Sequence, residues 1–111
     1  MKHSVISPAI LYWGTPVVVI SSLNEDGSSN LAPMSSAWWL GHSCMLGLDS
    51  ESKTTGNILR TGQCVLNLVD HTQAPVINRL AGTTGTDPVS ASKRSRDYRF
   101  VYDKWAVANL T

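Results

Sequence analysis

Pro16-Val-Val-Val-Ile-Ser-Ser22, followed by Leu23 and then by Asn24-Glu-Asp-Gly27, sets the architecture of this chain. Four consecutive β-branched residues, Val17 to Ile20, without polar alternation predict a strand buried on both faces. Asn24 to Gly27 then predicts a hairpin turn, with Gly27 free to take a positive φ. Ser28 to Leu31 returns antiparallel. Pro33 has no N–H to give to a ladder, so it interrupts the pairing or shifts it to an edge. Met34 to Leu40 resumes as a strand, Gly41-His42 turns, and Ser43 to Leu48 forms another strand. The first half is therefore expected to be a β-meander.

The period then changes. Ser52 to Arg60 predicts a short helix with Ser50 or Ser52 as N-cap, ended by Thr61-Gly62. Gly56 weakens it by ~1 kcal/mol relative to Ala. Gln63 to Val69 reads as a strand. Thr72 to Leu80 reads as a second helix with Val76, Ile77 and Leu80 on one face. Gly82 to Pro88 is a loop, and Val89 to Arg99 is polar and basic. The order of elements favours an antiparallel barrel or an α+β fold over a doubly wound one. The fold class expected is mostly β with short helices.

A length of 111 residues allows one small domain spanning 1–111 and a thin core. Charged residues are 15%, below the roughly 25% of soluble domains, which argues against disorder for most of the length. A net charge of +1 gives no general pull toward nucleic acid or an anionic membrane, so any anion site must be local. No apolar run approaches the roughly 18 residues of a membrane span. The start, Met1-Lys2-His3-Ser4, and the interruptions at Ser7, Pro8, Gly14 and Pro16 do not make a signal peptide, so a cytoplasmic location is expected. Cys44 and Cys64 lie in apolar runs without a ligand pattern and read as buried free thiols. His3, His42 and His71 have no ligand-spaced neighbours, so no metal site is expected. Trp13, Trp38 and Trp39 are three of four Trp in a small chain, which points to a groove or a subunit contact.

Two segments carry chemistry. In Met45-Leu-Gly-Leu-Asp-Ser-Glu-Ser-Lys-Thr-Thr-Gly-Asn57, a helix start supplies unpaired N–H groups, Ser50, Ser52, Thr54 and Thr55 supply hydroxyls, and Lys53 supplies charge. These are the parts of a phosphate cradle, although the Walker spacing is absent. An ordinary capped helix with a solvated lysine uses the same residues, and Asp49 and Glu51 oppose an anion. In Asn30-Leu-Ala-Pro-Met-Ser-Ser-Ala-Trp-Trp39, small hydroxyls beside paired indoles suit a flat heteroaromatic, or else a turn with core aromatics. No nucleophile–base pair is legible. The Lys93 to Arg99 cluster reads as a solvated loop.

Taken in order, these segments, together with Cys64-Val-Leu-Asn-Leu68, resemble the flavin reductase-like family. The resemblance runs from about Ser7 to Leu68 and continues more loosely through Leu80-Ala-Gly-Thr-Thr-Gly85 and Tyr98-Arg-Phe-Val-Tyr-Asp-Lys-Trp105. It implies an FMN-binding split β-barrel. It places Pro33, Met34, Ser35, Ser36, Ala37 and Trp38 along the isoalloxazine. Ser50, Ser52, Lys53, Thr54 and Thr55 would hold the ribityl phosphate, with Asn57 supporting that loop. FMN is the implied cofactor, FAD the second option, and NAD(P)H the co-substrate. The cofactor brings the chemistry, which accounts for the missing acid–base pair. A homodimer is implied, with no nucleic-acid or membrane partner. Members commonly continue for several strands past the position of Thr111, so the barrel here is expected to be incomplete or completed by a second chain. The alternative is a non-catalytic flavin-binding or dimerisation module that keeps the first half of the fold.

Overall fold

The computed structural model describes residues 1–9 and 14–108. Trp13 lies outside the described residues. Strand β1 (Val18–Leu23) forms the centre of a three-stranded antiparallel sheet, between β2 (Ser29–Met34) and β5 (Val65–Leu68). Its central position buries Val18, Val19 and Ile20 on both faces, whereas Val17 is exposed and precedes the strand. Val18 and Ile20 pack with Ala37, Met34, Leu46, Ile58 and Leu66. Val19 points the other way, into Leu31, Leu80 and Ala108, with Val76, Ile77 and Trp105 around them. The β1–β2 turn contains Gly27 at φ 88°.

Strand β2 runs through Pro33, which pairs with Val19. The sheet tolerates proline there because β2 is an edge, and a missing donor costs nothing on the unpaired side. The expected strand from Met34 to Leu40 breaks at Ser35-Ser36. The Ser36 carbonyl accepts the Gly47 N–H at 2.8 Å, and the chain restarts as a separate hairpin of β3 (Ala37–Leu40) and β4 (Ser43–Leu46). The meander is thus two sheets and not one.

Helix α1 (Lys53–Thr61) starts at Ser52, whose Oγ accepts the Thr55 N–H at 3.1 Å. It stops at Gly62, φ 71°, whose N–H reaches the Ile58 carbonyl. This is the left-handed helix end that favours glycine. A 3₁₀ turn, His71–Gln73, precedes α2 (Ala74–Ala81). Asp70 and Gln73 cap each other's backbone N–H groups across that turn.

The expected loop after Gly82 contains a further pairing. β6 (Thr83–Thr84) runs parallel to β7 (Arg99–Phe100), and α3 (Ala91–Arg94) lies between them in sequence. Helix α4 (Lys104–Ala108) packs on α2 and β2. Helices contribute about as many residues as strands, so the chain is mixed and not mostly β. Among the described residues the three sheets are separate, and none closes into a barrel. Both cysteines are free and half-buried, not fully buried as expected. Among the described residues no helix is long and apolar enough to cross a membrane.

Candidate functional site

The free edge of β2 borders a cavity of about 360 Å³. Asn30, Ala32, Pro33 and Met34 of β2 form one side, and Ser36, Gly47 and Asp49 extend it. The start of α1 contributes Ser52, Lys53 and Thr54. The remaining wall comes from the end of α2, from Thr83 to Gly85, and from Lys93, Arg96, Tyr98 and Lys104.

Buried hydrogen bonds fix these elements. Asn30 Nδ2 donates to Thr54 Oγ1 at 3.2 Å, tying β2 to the first turn of α1. Lys104 Nζ donates to the Leu31 carbonyl at 2.8 Å, tying α4 to β2. Gly85 allows the closest approach in the wall. A Cβ there would lie 2.5 Å from Asn30 Oδ1 and 2.9 Å from Lys53 Cγ. Gly47 is similarly close to Ser36, with 3.1 Å between a built Cβ and the serine Cβ.

The cavity is basic. Lys53, Lys93, Arg96 and Lys104 line it, against the single carboxylate of Asp49. Asp49 Oδ1 already accepts the Glu51 N–H at 2.8 Å. Lys53 Nζ pairs with Glu25 Oε2 at 2.8 Å, and this hydrogen bond is the main reason the Glu25 carboxyl is held below its ordinary value. Lys104 has lost its water, and that burial, with a smaller push from Lys93, lowers its pKa to about 8. The apolar part of the wall (Ala32, Pro33, Met34, Leu80, Ala81 and the Tyr98 ring) offers a surface against which a flat ring can pack.

Comparison with known proteins identifies the setting. The sequence profile of the flavin reductase-like domain matches residues 12–110. The chain belongs to the flavin reductase-like family. A Bacillus subtilis (strain 168) protein, described as uncharacterized protein YdfE, is 34% identical over 106 residues. Those residues are 96% of this chain and 51% of the relative, so the chain spans about half the length of the curated relative it matches. No solved structure matches it.

Within this flavin reductase-like domain, the structure gathers Pro33, Met34, Ser36, Ser52, Lys53 and Thr54 around one cavity. The other expected residues lie elsewhere. Ala37 is in the apolar core beside Val18 and Ile20. Trp38 is 53% exposed on the β3–β4 hairpin. Ser35 is half-buried at the break between β2 and β3 and does not line the cavity. Ser50 is exposed before the helix. Thr55 is spent on the cap, with its Oγ1 donating to the Asp49 carbonyl at 2.7 Å. Asn57 is buried and faces the other way. Its Nδ2 donates to Ser22 Oγ and Asn24 Oδ1, so it anchors α1 to β1 and its turn.

Sequence reading missed the far wall. Lys93 and Arg96 flank the Tyr98 ring at 5.6 and 5.1 Å, in a segment taken for a solvated loop. The signal was present as cations spaced around one aromatic, but the β6–β7 pairing that folds them back on the cavity is non-local. Lys104 gave no signal except its place in an apolar stretch.

Proposed function

We propose that this chain is the flavin-binding part of an FMN-dependent oxidoreductase that takes reducing equivalents from NAD(P)H. The observation that carries the reading is the composition of the cavity: an apolar floor along β2 beside a hydroxyl- and cation-rich helix start. The donor set suits FMN. Ala32, Pro33 and Met34 would support the ring, and Ser36 would meet its polar edge. Lys53, Thr54 and the first N–H groups of α1 would hold the phosphate, where a helix start favours an anion. Bound there, the flavin would supply hydride acceptance from the nicotinamide. The chain's own share is to bind, orient and shield.

The same reading makes the protein a homodimer. Trp38, Trp39, Leu40 and Met45 leave an exposed apolar hairpin, and Leu68 does the same on β5. The folded chain exposes 7939 Å², against about 6,000 Å² for a compact chain of its mass. The exposed segment 1–9 and these apolar faces both contribute.

Titration of the purified protein with FMN, FAD and riboflavin, followed by flavin fluorescence, tests the binding. Saturable binding with FMN tightest supports the reading, and no binding of any flavin rejects it. NADH and NADPH oxidation in the presence of FMN then separates a reductase from a flavin-binding module without activity.

A further inference from the structure

Lys104 is a cavity residue that the proposed flavin chemistry leaves unused. It is 3% exposed, yet it lines the cavity of about 360 Å³ beside β2. Its Nζ donates to the Leu31 carbonyl at 2.8 Å, and among the described residues no carboxylate pairs with it. The charged groups around it are Lys53, Lys93, Arg96 and Asp49 in the cavity, Asp103 beside it in the chain, and Arg79 of α2, which donates to the Ala108 carbonyl at the end of α4. Asp49 Oδ1 accepts the Glu51 N–H, and Asp103 Oδ1 accepts the Ala106 N–H. An ammonium without water or a counter-ion is costly, so burial, and after it the charge of Lys93, drives this amine toward its neutral form. With the pKa lowered from 10.5 to about 8, about half of it carries no proton at pH 8, against about 0.3% of an ordinary lysine. A neutral amine has a lone pair, which a carbonyl oxygen cannot satisfy. The bond to Leu31 uses one N–H and leaves that lone pair for a cavity ligand. Desolvation and a neighbouring cation are the two means by which a lysine becomes a nucleophile toward carbonyl compounds.

We propose that Lys104 is a covalent capture site for small 2-oxo acids, which its amine binds as an imine inside the cavity. The basic lining favours a carbonyl compound that carries a carboxylate over a neutral one. The Nζ lone pair forms a C–N bond to the carbonyl carbon, and the carbonyl oxygen takes a proton released by the nitrogen. The hydroxyl of this carbinolamine then leaves with the remaining nitrogen proton as water, and the C=N bond forms. Nothing is oxidised or reduced. Capture does not require a flavin, and a flavin filling the same cavity would exclude it.

The probe is glyoxylate with sodium cyanoborohydride, which reduces the imine to a stable secondary amine. The purified chain, dialysed free of flavin, is labelled and the adduct is located by peptide mass mapping. The lysines are Lys2, Lys53, Lys93 and Lys104, so exposed Lys2 serves as the internal reference. At pH 8 Lys104 should be labelled at least about tenfold faster than Lys2, and its rate should level off above that pH while that of Lys2 keeps rising. Lys104→Arg keeps the charge but forms no imine, so it should lose this adduct with Lys2 labelling unchanged. Lys104 labelled no faster than Lys2, or without a plateau, overturns the proposal. If Lys104→Arg does not fold, the map and the pH profile of the unmutated chain decide by the same criteria.

Flavin titration separates this failure from failure of the flavin reading. Fast labelling of Lys104 in a chain that binds no flavin upholds the capture site and removes the flavin. Saturable flavin binding with Lys104 unlabelled in the flavin-free chain does the reverse. If both stand, FMN in large excess over its Kd should slow Lys104 labelling by at least about tenfold and leave Lys2 unchanged. Labelling of Lys104 that bound FMN does not slow would place the reactive amine outside the flavin's cavity and overturn capture inside it.

Discussion

Lys104 Nζ lies 2.8 Å from the carbonyl oxygen of Leu31, 73 positions earlier in the chain, with both side chains buried. The bond caps part of the free edge of β2 with a cation. A lysine near an unpaired strand edge usually stays in water, where it discourages edge-to-edge pairing. Here the ammonium is folded inward beside a cavity that already contains Lys93 and Arg96. Among the described residues no carboxylate pairs with that ammonium.

Lys104 makes stability depend on pH in alkaline solution. Its pKa is about 8 in the folded chain against an ordinary 10.5. Between those values the unfolded chain holds a proton that the folded chain has released, so stability rises with pH across the window. Below pH 8 both states are protonated and the burial cost is present in full. The whole shift corresponds to up to about 3 kcal/mol. Burial, and after it Cys44, pushes the Cys64 thiol above its ordinary 9.0, which lowers stability as pH rises beyond that value. Lys53, Lys93, Arg96 and Asp49 line the same cavity. Urea denaturation between pH 8 and 9 should therefore show stability increasing, and Lys104→Met should flatten that slope. A slope unchanged in Lys104→Met would assign the effect to another group.

Two glycines should respond in opposite directions to alanine. Gly56 lies within α1 with nothing within 4 Å of a built Cβ and no positive φ, so Gly56→Ala should stabilise by up to about 1 kcal/mol. A Cβ added at Gly85 would lie 2.5 Å from Asn30 Oδ1 and 2.9 Å from Lys53 Cγ. Asn30 is held by its buried bond to Thr54 and has little room to retreat. Gly85→Ala should cost about 1–3 kcal/mol, the range of overpacked sites. Thermal melts of both variants check the pair, and similar shifts for the two would show that the Gly85 wall is loose.

The exposed apolar hairpin leads to a prediction about assembly. Trp38 is 53% and Trp39 41% exposed, on adjacent positions of one short strand, so their side chains lie on opposite faces of the hairpin. Leu40 and Met45 add to the same hairpin. An obligate dimer interface buries about 2,000 Å² or more with an apolar centre. Light scattering should give twice the chain mass at micromolar concentration, and Trp38→Glu should lower it toward the monomer. A compact monomer in the unmutated protein would remove the dimer from the proposed function.

The strand at Val18 to Ile20, its turn at Gly27, and α1 between Ser52 and Gly62 were legible because each depends on local chemistry. β-Branching, a positive-φ glycine, an N-cap hydroxyl and a left-handed helix end all act within a few residues. The break at Ser35-Ser36 was not legible, since it depends on the Gly47 N–H arriving at the Ser36 carbonyl. The fold class was overdrawn toward β because the strands are shorter than expected and α3 and α4 form where no helix was expected. Half of the expected site residues reach the cavity. Those that do not line it lie on another face of their strand or helix, or in the segment just outside one, because adjacent positions point different ways. Trp38 and Thr55 are examples.

The last prediction concerns Lys53, whose Nζ the structure places 2.8 Å from Glu25 Oε2. The lysine side chain is 26% exposed and the glutamate 65%, so the pair is open to water and weakly held. If a flavin phosphate binds at the start of α1, the ammonium can turn from the glutamate to the phosphate. A charge-assisted hydrogen bond contributes roughly 1.5–3 kcal/mol, so Lys53→Ala should weaken FMN by about 10- to 150-fold. Riboflavin has no phosphate and should be almost unaffected. Glu25→Gln should tighten FMN slightly, because it removes the competing carboxylate without moving the lysine. Flavin fluorescence reads both ligands on all three proteins. Equal losses of FMN and riboflavin in Lys53→Ala would mean that the lysine supports the fold through its packing against Gly85 and Glu25. Equal affinity of the two flavins for the unmutated protein would mean that no phosphate is held there, and that Asp49 and Glu51 describe that loop better than its hydroxyls do.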